Sequence, residues 1–135
     1  MSGGAIMGAL LTAHAPLTAI VPMDGIRMDV LPSGWPLPGI TVGEVSGNDR
    51  QKLCNGIGGT RVTDRVQVTV HARDVEQRAA LILLVRAAGR GRIGSIAGLT
   101  GVSVLVGAKG PTFRDDAATI FMQSQDFMVS YIEAA

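Results

Sequence analysis

Thr60-Arg61-Val62-Thr63-Asp64-Arg65-Val66-Gln67-Val68-Thr69-Val70-His71-Ala72 is the stretch whose reading decides the fold. Val62, Val66, Val68, Val70 and Ala72 point one way; Thr63, Arg65, Gln67, Thr69 and His71 point the other. A period of two over this length predicts a strand with one buried face and one face that is wet or lies at an interface. Asp64 alone breaks the apolar set. Immediately after it, Asp74 caps a predicted helix, with Gln77 three positions on as in a capping box and Glu76 at the positive end of the dipole. Arg86 and Arg90 lie toward the far end, and Gly89 is the expected residue just past it. Between them, Ala79 to Val85 is apolar nearly all round, so this helix needs cover on more than one side.

Working outward, Ala5, Ile6, Ala9, Leu10 and Ala13 form one helical stripe, with Ser2 as N-cap and Pro16 ending the helix or opening a second turn over Leu17 to Val21. Ile26 to Leu31 and Ile40 to Ser46 read as strands, separated by a Pro-rich loop from Pro32 to Gly39. Gly47 to Gly59 is polar and Gly-rich, and is expected to be a long functional loop. Strands follow at Val102 to Val106 and Ile120 to Ile132, joined by a loop from Gly107 to Ala118. The last strand is apolar on both faces, which requires either two covered faces or a bulge near Gln123–Asp126. The expectation is one α+β domain spanning 1–135. Its sheet is mainly antiparallel with two helices packed on one face, in the order α-β-β-β-α-β-β.

Composition narrows the function. Twelve Lys and Arg balance eleven Asp and Glu, so the basic excess of a protein that grips nucleic acid is missing. Charged residues are 17% of the chain, against about 25% in ordinary domains, and 47% are hydrophobic, which points to apolar surface held against other subunits. Cys54 is the single cysteine, so no internal disulfide is expected. Ala13-His14-Ala15 imitates an export cleavage site, but no Lys or Arg precedes the apolar run and Pro16 follows the cut. Gly, Thr, His and Pro interrupt that run too often for a membrane span, so a soluble intracellular protein with no membrane contact is expected.

Motifs that imitate chemistry do not hold together. Gly89-x-Gly91-x-x-Gly94 has the letters of a dinucleotide fingerprint, but it follows a helix where the fingerprint must precede one. It reads instead as a helix C-cap with arginines facing the dipole. Asn55 to Thr60 lacks the lysine of a phosphate loop. Asp115-Asp116 reads as a solvated turn, and His14 and His71 have no partner motif for a metal. No catalytic, cofactor-binding or metal residue is therefore assigned, and the chain is not expected to be an enzyme. The remaining alternative is a small hydrolase using Cys54. Trp35, Asp49, Arg50, Lys52, Lys109, Phe113 and Arg114 lie in the expected loops and are the candidate interaction residues: cations to guide docking, aromatics to anchor it.

Several stretches together resemble the tail completion (tail terminator) proteins of long-tailed bacteriophages. Gly8-Ala9-Leu10-Leu11-Thr12-Ala13-His14-Ala15-Pro16-Leu17-Thr18-Ala19-Ile20-Val21 is similar to their opening helix and the run that ends it. Ile26-Arg27-Met28-Asp29-Val30 and Pro36-Leu37-Pro38-Gly39-Ile40-Thr41-Val42-Gly43 resemble their first strand and the Pro-marked start of the second. Arg65 to Ala72, with the helix carrying Glu76 and Ala79-Ala80, resembles their central strand–helix pair. Gln125-Asp126-Phe127-Met128-Val129-Ser130-Tyr131 resembles their final strand. The likeness runs nearly the full length of the chain.

That resemblance implies a hexameric ring of identical copies on the finished tail tube, at the head-proximal end of the virion tail, assembled in the host cytoplasm. Its partners would be itself, the tail tube protein and the head–tail connector, with DNA passing through the lumen without specific binding and no cofactor. A related morphogenesis role, head closure or minor tail subunit, is the alternative within the same class.

Overall fold

The computed structural model describes residues 3–31, 34–50, 60–115 and 119–133. The chain opens with α1 (Gly3–Ala13) and α2 (Ala15–Thr18), then a 3-10 turn over Met23–Gly25. β1 (Ile26–Met28), β2 (Gly39–Arg50) and β3 (Thr60–Ala72) follow, then α3 (Val75–Gly89), β4 (Ile93–Ile96), β5 (Leu99–Asp115) and β6 (Ile120–Glu133). The six strands form one sheet in the order β1-β2-β3-β6-β5-β4. β1 runs parallel to β2; every other pair is antiparallel.

The class is the expected one, α+β with helices on one face, but the order gains α2 and β4, and two strands run well past their predicted limits. β2 continues to Arg50, four residues past Ser46, with Arg50 opposite Arg61. β5 continues to Asp115, absorbing residues 107–115 that read as loop. Polar and glycine-rich letters misled in both places, because a strand whose backbone is paired by its neighbours needs no apolar side chains to persist. β1 stops early, at Met28. Asp29 takes a left-handed conformation (φ 64) and turns the chain over, so Met28 and Val30 are exposed while Leu31 packs against Gly39.

β3 and β6 are the spine. Their register is unbroken from Thr60↔Glu133 to Ala72↔Phe121, so β6 carries no bulge. Val62 and Val66 stand opposite Tyr131 and Phe127, Val68, Val70 and Val129 are buried on the same helical side, and burying Phe127 contributes about 1.5–3 kcal/mol. The irregularities fall on β5 instead. Between Thr100 and Ser103, Val106 and Lys109, and Lys109 and Thr112, β5 spends three residues against two on β6. Each extra residue is a bulge that bends the strand and increases its twist. Gly107 and Gly110 allow the close approach: a Cβ there would sit 3.0 Å from the Asp126 carbonyl oxygen and 2.2 Å from Ser124 Oγ. Gln125, fully buried on the helical face, ties the bulge down by donating from Nε2 to the carbonyls of Gly107 and Ala108 at 3.0 and 3.3 Å.

α3 is capped as expected: the Gln77 amide donates to Asp74 Oδ1 at 2.7 Å, and the Gln77 side chain accepts from the Arg73 amide. Its end differs by two residues. Gly91 (φ 66), not Gly89, is left-handed, while Gly89 is the last helical residue and abuts Phe127. Arg92 Nε donates back to the Ala88 carbonyl at 3.1 Å, so the Gly-x-Gly-x-x-Gly segment is a helix C-cap leading into a hairpin.

Of the predicted stripe, α1 buries Ile6, half-buries Ala5, Ala9 and Leu10 and exposes Ala13; its buried face is Ile6, Met7 and Leu11. The larger side chains win the core because they remove more apolar area from water. Its first turn is held from outside. The Gly3 amide donates to Asp64 Oδ2 at 2.9 Å and the Gly4 amide to Glu44 Oε1 at 3.1 Å. Asp64, the residue that broke the β3 alternation, is therefore a cap delivered across the sheet, and it also accepts the Tyr131 hydroxyl at 3.2 Å. Only glycine fits between: a Cβ on Gly3 would lie 2.8 Å from Asp64 Cβ. Ser2, the expected cap, lies outside the described residues.

Candidate assembly surfaces

The seven candidate interaction residues do not converge. Trp35 is half-buried on the connection between β1 and β2, with the Arg27 guanidinium 5.0 Å from its ring centre. The same connection is held by Arg73, whose Nε donates to the Leu37 carbonyl at 2.8 Å. Asp49 and Arg50 stand on β2, not in a loop, their backbones opposite Val62 and Arg61. Lys52 lies outside the described residues, as does Cys54. Lys109, Phe113 and Arg114 are all on β5. Phe113 is 48% exposed on the face away from the helices, opposite Met122. Arg114 faces the other way and stacks on Phe121, 5.7 Å from its ring centre, with Arg78 on the same ring at 5.9 Å. Three strands, β2, β3 and β6, separate the Trp35 side of the sheet from the Phe113 side.

The two segments read as long loops end up at opposite ends of the sheet. The β2–β3 connection leaves from Arg50 and returns at Thr60, level with Glu133 at the end of β6. The β5–β6 connection joins Asp115 to Ile120, level with Ala72. Along the 14 residues of β6 these ends stand roughly 45 Å apart.

On the helix-free face, polar side chains of β2, β3 and β6 pair with one another. Arg65 Nε donates to Asp126 Oδ2 at 2.9 Å, Thr63 and Ser130 share a hydrogen bond of 2.9 Å, and Thr41 Oγ1 lies 3.2 Å from His71 Nε2. Burial pushes the His71 imidazole below its ordinary pKa, which keeps this contact neutral near pH 7. His14 stands at the start of α2, a different element from the β3 strand that carries His71. Among the described residues no group of three or more His, Cys, Asp or Glu is placed to hold a metal ion, and no helix is long and apolar enough to cross a membrane.

Sequence reasoning missed the exposed apolar side chains. Ile20, Met23, Met28 and Val30 are exposed on the stretch from the end of α2 through β1, Ile93 on β4, Leu105 on β5, and Val75 and Leu83 on α3. The excess of apolar letters signalled such surface without locating it. Met28 and Val30 lie within the strand read over Ile26 to Leu31, which ends early because Asp29 turns left-handed.

This arrangement of one curled sheet, bulged on β5 and filled by α1 and α3, has a solved counterpart. A chain of the virion of the native gene transfer agent (GTA) particle superposes with a TM-score of 0.75, covering 96% of this chain and 96% of that one. The fold is shared. At 17% identity the likeness lies in architecture, over practically the whole of both chains. No family model matches the sequence, and no curated protein matches it.

Proposed function

We propose that this chain is a structural subunit of a phage-type virion, and that it acts as the tail terminator: a ring of identical copies that ends the tail tube and joins it to the head connector. The observation that carries the reading is the end-to-end correspondence of the fold with a virion chain of the gene transfer agent particle, and the sequence resemblance supports the narrower role. The geometry is consistent with it. A subunit that must meet the tube on one side and the connector on the other needs two separate contact regions, and the two hairpin connections stand at opposite ends of the sheet. A near-neutral chain suits a conduit that DNA passes through without being held. In this role the chain catalyses nothing; its work is shape and contact.

The test is location and phenotype in particles. Gold labelling of the chain should mark the head-proximal end of the tail, and loss of the chain should yield tails of uncontrolled length that fail to join heads. Label at the head vertex with tails of normal length would instead favour a head-closure subunit. Label along or at the far tip of the tail would favour a minor tail protein.

A further inference from the structure

We infer that copies of this chain join head to tail, the β4 margin of one sheet seating against the β1 margin of the next; this rests on the ring reading above and names its subunit contact. β1 and β4 are the two ends of the sheet, and no further strand lies beyond either among the described residues. Both margins are apolar and open. At the β4 margin Ile93 is 78% exposed, and it shares the helix-free face with Leu105 because Ile93 pairs with Ser103, two residues before Leu105. At the β1 margin Val30 is 72% exposed, with Met23 and Met28 beside it. Apolar side chains grouped on an unpaired strand margin suit a contact with another protein surface.

The charges decide what the contact is made with. No acidic residue occurs between Glu76 and Asp115, so the residues of the β4 margin carry no negative charge; Arg92 turns its guanidinium back to the Ala87 and Ala88 carbonyls, which leaves Arg90 as the cation offered to a neighbour. The β1 margin carries Asp24 and Asp29, one at each end of the strand. Arg27 lies between them, but its Nε is directed at the Asp24 carbonyl and its guanidinium at Trp35. Neither aspartate, nor Arg90, has an ion partner among the described residues. A symmetric dimer through either margin would set like charge against like. A head-to-tail contact sets arginine against aspartate and apolar surface against apolar surface at every joint. The sheet is also curled: α1 touches both β1 and β4. A curled sheet sets its two margins out of line, so the direction changes at each joint, as ring closure requires, where margins in line would extend a filament.

The experiment uses the full chain in a Cys54→Ser background, carrying Met28→Cys and Ile93→Cys together. Mild oxidation should give a ladder of covalent oligomers ending in a closed species, while each single-cysteine chain gives at most dimers. In parallel, Arg90→Glu or Asp24→Lys alone should weaken self-association measured by light scattering at least about tenfold, and the two combined in one chain should restore it, since each joint regains opposite charges. Thermal melting of each variant, matched to the parent, separates lost contact from lost fold. Closed oligomers that never cross-link through these positions would overturn the edge assignment and leave the ring reading standing. A chain that stays monomeric and uncross-linked up to millimolar concentration overturns the contact itself. Particle labelling then judges the terminator role independently.

Discussion

Asp64 shows how one letter can look wrong in a pattern and be right in the fold. It interrupts five apolar positions on β3, is buried, and accepts from the Gly3 amide and the Tyr131 hydroxyl. Removing the acceptor leaves two buried donors without partners. Asp64→Ala should therefore cost about 2–4 kcal/mol in urea titration, and Asp64→Asn clearly less, because an amide oxygen still accepts. Tyr131, 3% exposed, reports on the same pair: burial first, and then the Asp64 charge, push its hydroxyl up to about 12. A raised pKa means the folded state holds a proton that the unfolded chain has lost. The stabilisation is complete below pH 10 and is lost as pH rises toward 12, by up to about 3 kcal/mol. Tyr131→Phe should flatten stability across that window, read from melts at pH 9 and pH 11.5; an unchanged alkaline slope would contradict the assignment.

Among the elements, the β4–β5 hairpin is the one whose turn chemistry is least suited to its shape. Ala97 (φ 53) and Gly98 (φ 79) form a two-residue turn with both residues left-handed, between the paired Ile96 and Leu99. Such turns favour Asn-Gly, and a Cβ without a local hydrogen bond is strained there. Ala97→Asn should stabilise the protein by about 0.5–1 kcal/mol, visible as a raised melting temperature. The hairpin also marks the limit of what could be read in the letters. β3, α3 with its Asp74 cap, and the span of β6 were legible because their signals are local: a period of two, a capping box, a long apolar run. β4 was not, since Ile93-Gly94-Ser95-Ile96 is too short for periodicity and is a strand only because β5 pairs with it. The candidate site fared less well for the same reason. Lys109, Phe113 and Arg114 were singled out as loop residues, while the bulges that allow glycine, lysine and proline within β5 are imposed by β6.

At the scale of the molecule, the sheet separates two kinds of contact. Strand ends point along one direction and carry the hairpin connections; strand margins face sideways and carry the exposed apolar and charged groups. If the ends serve different partners, reversing charge at one should spare the other. Arg50→Glu with Lys52→Glu, and separately Arg114→Glu, should each leave the purified chain folded but block different joints. Electron micrographs would show tube-bound, headless tails from one set and unfinished, overlong tubes from the other. Normal particles from both would remove the hairpin ends from the mechanism.

The slack in β5 has a consequence for how chains of this shape can diverge. Losing Ala108 would erase one bulge and straighten the strand there, with its neighbours still facing as before, whereas losing Ser124 would turn half of β6 inside out against β3. Length changes of a single residue are thus tolerable on one strand and ruinous on the one beside it. Curvature is the property this architecture can most readily vary, and in an assembly of wedge-like parts curvature sets the bore.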